Sequence, residues 1–95
     1  MTSFIANVPT IHAGRYLQQL CKHWSHKFEV NFTPDAGVIA LPFGPAHLSA
    51  GPEALTIRLD LADATAAERA QTVVAEHLNR FAFREVPLEF SWTVA

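Results

Sequence analysis

The sequence predicts a two-layer α+β sandwich, a mainly antiparallel sheet of five to six strands with two helices packed on one face. Three observations predict it. Several short segments alternate apolar and polar residues with the period of a half-buried strand. Two longer segments repeat their apolar residues at helical spacing. The strand-like segments between those helices are joined by turns too short for a parallel crossover, which leaves antiparallel pairing. With 95 residues, 49% of them apolar and 17% charged, the chain is expected to fold as a single domain over residues 1–95 rather than stay disordered.

Phe4, Ala6 and Val8 alternate with Ile5 and Asn7, a short strand that Pro9 ends. Thr10 is a suitable N-cap for a first helix, in which Ala13, Tyr16, Leu17, Leu20, Cys21 and Trp24 recur at helical spacing between Ile11 and about Ser25. A strand over Phe28–Phe32 follows, then a turn at Thr33-Pro34-Asp35-Ala36-Gly37, where Gly37 is free to take a positive φ. Val38–Phe43 reads as a strand. Gly44-Pro45 is expected to interrupt it, with Ala46–Ala50 resuming before a turn at Gly51-Pro52. Leu55, Ile57, Leu59 and Leu61 form the cleanest alternation in the chain. Thr65-x-x-Glu68 has the form of a capping box for a second helix over Ala66 to about Phe81. After Pro87, the alternation of Leu88, Phe90, Trp92 and Val94 predicts a closing strand.

The net charge of −2 is unevenly spread. Residues 1–27 hold Arg15, Lys22 and Lys27 and no acid, while residues 28–95 hold four arginines against nine acids. Such a field suits an anionic small molecule or an acidic protein partner. A pI near 6.2 argues against nucleic acid, whose phosphates are met by many Lys and Arg. No apolar run is long enough to span a bilayer and the start lacks a signal-peptide pattern, so the expectation is a cytoplasmic protein without a membrane role. A chain this small buries a modest share of its surface, so it is expected to be a monomer or a homodimer. A single cysteine, Cys21, forms no internal disulfide.

On a helical wheel Cys21 falls with Tyr16, Leu17, Leu20 and Trp24, and His12, Arg15, Gln19, His23 and His26 fall on the polar arc beside it. Cys21 should therefore be buried and His23 and His26 exposed, which rules out a Cys–His nucleophile pair within this helix. His23-x-x-His26 supplies two imidazoles at a spacing that a metal can use, but a structural site needs four ligands, so surface histidines are the simpler reading and no metal or cofactor is expected. Arg15, Gln19, His23 and His26 also form a candidate anion site. His77 lies among Ala70, Val73, Val74 and Phe81 on the apolar arc of the second helix, so it should be buried and bonded to a backbone carbonyl or a hydroxyl. If it lines a pocket instead, Arg80 or Arg84 is placed to hold an anionic group there.

Arg15-Tyr16-Leu17, Leu20-Cys21-Lys22-His23 and His26-Lys27, with His77-Leu78, Arg80-Phe81-Ala82-Phe83-Arg84-Glu85 and Trp92, resemble an uncharacterised bacterial family, family 2218 of the domains of unknown function. The resemblance runs from about Ala6 to Thr93. Members occur alone or fused to siderophore-interacting modules that resemble flavin-dependent reductases, so it implies an association with siderophore or iron metabolism and a separate siderophore-interacting flavoprotein as partner. It brings no active site to carry over. Gly44-Pro45-Ala46-His47 departs from the pattern at Pro45. The first functional expectation is a non-catalytic binding or accessory module; the alternative is a small-molecule-binding protein or small enzyme with a pocket around His77 and Arg80.

Overall fold

The computed structural model describes residues 2–82 and 88–95. In chain order the elements are β1 (Thr2–Pro9), α1 (Ala13–Trp24), β2 (Val30–Phe32), β3 (Ala36–Leu41), β4 (Gly44–Ala50), β5 (Ala54–Leu61), a 3-10 turn (Ala64–Ala66), α2 (Ala67–Phe81) and β6 (Trp92–Val94). The described strands form one sheet in the order β2-β3-β4-β5-β1-β6, with every neighbouring pair antiparallel. This is the α+β architecture that the alternating and helical patterns predict. β1 lies inside the sheet because its eight residues pair along their full length with β5, from Thr2↔Leu61 to Pro9↔Ala54.

Register follows from the apolar pattern, since a slip of one residue would turn every side chain to the other face. Ala6↔Ile57, Val8↔Leu55 and Leu48↔Ile57 place apolar pairs on the helix-covered face. Ser3↔Asp60, Asn7↔Thr56 and His47↔Arg58 place polar pairs on the other. Tyr16, Leu17, Leu20, Cys21 and Trp24 of α1 and Ala70, Val74 and Leu78 of α2 share one buried cluster with the sheet. Cys21 is buried there and His23 and His26 are exposed, as the wheel predicts. Desolvation pushes the Cys21 thiol up to about 11, which leaves it a packing group rather than a nucleophile.

Several local expectations are corrected. Thr10 accepts a hydrogen bond from the His12 amide at 3.0 Å, but it braces the lead-in to α1, whose first helical residue is Ala13. Phe28 is not in a strand: its amide closes onto the Trp24 carbonyl at 2.8 Å, and β2 begins at Val30. Gly37 sits inside β3 without a positive φ; a Cβ there would lie 2.8 Å from Cys21 Sγ and 3.1 Å from Phe32 Cβ, so the glycine answers close packing of α1 on the sheet. Pro45 does not break its strand. It pairs with Ala40, and pairing with β5 starts only at Ala46, so the missing N–H costs no bond to β5. The turn is Pro42-Phe43, followed by Gly44 at φ +138°, where a Cβ would collide with the Asp60 carbonyl. Asp63, not Thr65, caps the approach to α2: its carboxylate accepts from the Thr65 amide at 2.9 Å and hydroxyl at 2.7 Å. The closing strand is limited to Trp92–Val94, while Leu88 is held by its amide donating to Asn79 Oδ1 at 3.0 Å.

Candidate functional site

A cleft of about 470 Å³ opens where the C-terminal end of α1, the β3–β4 turn and α2 meet. Each element contributes for a local reason. At the end of α1 the Lys27 and Phe28 amides both donate to the Trp24 carbonyl, at 3.0 and 2.8 Å, and this tight exit sets Lys27 and Phe28 beside Trp24. On α2, Arg69, Val73 and His77 are spaced by four and form one line along the helix. The two-residue turn brings Pro42 and Phe43 across from both helices. The walls are therefore largely apolar and aromatic, with Lys27 and Arg69 as exposed cations at the rim. Neither forms an ion pair among the described residues. Lys27 Nζ lies 5.7 Å from the centre of the Phe28 ring.

His77 lines this cleft and is half-buried rather than buried, which corrects the reading taken from its place on the apolar arc. Its ring centre is 4.9 Å from that of Trp24 and 5.6 Å from that of His23. Nδ1 lies 2.7 Å from the Val73 carbonyl, the backbone partner that the sequence led us to expect. A carbonyl only accepts, so Nδ1 carries the proton. Arg80 is exposed in the last turn of α2 and is not among the residues lining the cleft, where Arg69 supplies the cation instead. Arg84, like Phe83 and Glu85 of the resemblance, lies outside the described residues.

The candidate anion site on α1 is only partly assembled. Arg15 and Gln19 line a second groove of about 440 Å³ with Gly14, Gln18, Lys22, Pro34 and Asp35, and the Asp35 carboxylate offsets the two cations. His23 turns toward α2, its ring 5.8 Å from that of Phe81, and His26 lies in the turn beyond the helix. His23 is thus brought to His77 rather than to Arg15. Two imidazoles make half a metal site, and no group of three metal-binding side chains occurs among the described residues.

The uncovered face of the sheet carries a polar network that alternation alone did not single out. Asp60 Oδ1 accepts from Ser3 Oγ at 2.6 Å and from Arg58 Nε at 2.9 Å, and Oδ2 lies 3.1 Å from His47 Nε2. The hydrogen bonds from Ser3 and Arg58 hold the Asp60 carboxyl below the usual carboxylate range. The carboxylate stands between the hydroxyl and the imidazole. Activation of a serine requires the imidazole next to the hydroxyl, so this arrangement ties strands β1, β4 and β5 together rather than preparing a nucleophile.

A family model described as "Uncharacterized protein conserved in bacteria (DUF2218)" matches residues 5–93. No curated protein matches. The fold is similar to the NMR structure of PA4090 from Pseudomonas aeruginosa, with a TM-score of 0.81 and 39% sequence identity over 98% of this chain and 96% of that one.

Proposed function

The chain belongs to the DUF2218 family of uncharacterized proteins conserved in bacteria, and from that premise we propose that it is a binding module whose ligand is a small organic anion with an apolar, ring-bearing body. The observation that carries this reading is the cleft at His77, which two cations without ionic partners among the described residues line together with aromatic side chains. An anion is drawn by Lys27 and Arg69, and its ring gains area against the half-buried Phe28 and Phe43. The rival groove at Arg15 and Lys22 carries its own carboxylate and little apolar wall, so it suits an organic anion less. Cytoplasmic residence, which rests on the apolar pattern and the start of the sequence, and a link to siderophore or iron metabolism through a separate flavoprotein, which rests on the family resemblance alone, are part of the proposal.

Calorimetric titration with naphthoate tests it. Binding should weaken with added salt, drop at least about tenfold in Lys27→Glu or Arg69→Glu, and be poorer for neutral naphthalenemethanol. Absence of binding, or sensitivity to charge reversal at Arg15 and Lys22 instead, overturns the assignment to this cleft.

A further inference from the structure

The tautomer of His77 says more about the ligand than the charges do. The bond from Nδ1–H to the Val73 carbonyl, 2.7 Å long, fixes the ring with its proton on Nδ1. In the uncharged imidazole Nε2 then bears the lone pair and can only accept. Among the described residues Nε2 has no hydrogen-bond partner, although the ring lines the cleft. The two cations at the rim, Lys27 and Arg69, are donors only, as is the Trp24 indole N–H. The described side chains of this cleft therefore offer donors for an anionic group and a single ring-nitrogen acceptor, while the half-buried Phe28 and Phe43 supply apolar ring surface.

Resting on the cleft reading above, we propose that the ligand class is an aromatic acid bearing a ring hydroxyl, with the acid group on Lys27 and Arg69 and the hydroxyl donating to His77 Nε2. A ring ether or an unsubstituted ring presents no donor and leaves Nε2 unpaired against an apolar surface, which a binding site penalises. The volume of about 470 Å³ has room for a one- or two-ring acid.

The test compares naphthoate with its ring-hydroxy isomers and their methyl ethers, at a pH near 8 where an ordinary imidazole is uncharged. At least one hydroxy isomer should bind roughly 5- to 15-fold more tightly than both the parent acid and its own methyl ether. His77→Phe should abolish that preference while the parent acid still binds. His77→Gln, whose amide can donate to the Val73 carbonyl and accept from a hydroxyl, should restore part of it and guards against a folding artefact. If every hydroxy isomer binds like its ether, the hydroxyl assignment is wrong and the cleft reading stands. If no member of the series binds, both fall.

Discussion

Two glycines show how closely single residues are constrained. At Gly44 the φ of +138° and the approach of the Asp60 carbonyl act together, so Gly44→Ala should destabilise the protein by at least about 2 kcal/mol, measured by urea unfolding. At Gly37 the obstacle is a side chain, Cys21 Sγ at 2.8 Å from the added Cβ. Gly37→Ala should cost about 1 to 3 kcal/mol through overpacking. Cys21→Ala in the same chain should recover part of that loss, a coupling that a double-mutant cycle reads directly. An unchanged cost in the double variant would mean that the glycine serves the backbone rather than α1. The raised thiol pKa of about 11 and full burial also predict that Cys21 resists alkylation in the native state and reacts once urea unfolds the chain.

At the scale of elements, the lead-in to α2 separates two capping arrangements. Asp63 accepts both the amide and the hydroxyl of Thr65, and these bonds hold its carboxyl below the usual range. Asp63→Ala should lower the melting temperature, and Glu68→Gln should leave it nearly unchanged; the reverse order would restore the capping box. The helices and the alternating strands were legible because each pattern repeats within one segment. Leu55 to Leu61 and Ala70, Val74 and Leu78 need no knowledge of the rest of the chain. Pro45 was misread because its effect depends on which neighbour its nitrogen faces, a property of the pairing with β3 and β5. Phe28 was misread because alternation over five residues does not distinguish a strand from a chain folding back on a helix end.

At the scale of the whole molecule, the candidate site was legible only in its central residue. His77 stood out as a polar group on an apolar arc, but Arg69 reads as a solvated helix face and Phe43 as part of a strand until the fold brings them to the cleft beside the buried Trp24. The polar network across β1, β4 and β5 was hidden for the same reason, since Ser3 and Asp60 are 57 residues apart. That network sets a pH dependence. With its folded pKa below the unfolded value, Asp60 contributes stability that is present above the ordinary carboxylate range and is lost as pH falls through the folded value. Asp60→Asn should flatten the acid-side decline in urea-unfolding stability, and an unaltered profile would assign the acid sensitivity elsewhere.

Chemical-shift mapping during a naphthoate titration tests the location of the binding site most directly. The largest changes should cluster at Trp24, Lys27, Phe43, Arg69 and His77, with Ser3, Arg58 and Asp60 on the open sheet face and Arg15 and Lys22 on α1 left nearly unmoved. Largest changes on the open face or in the Arg15 groove, with the His77 cleft unaffected, would contradict that location.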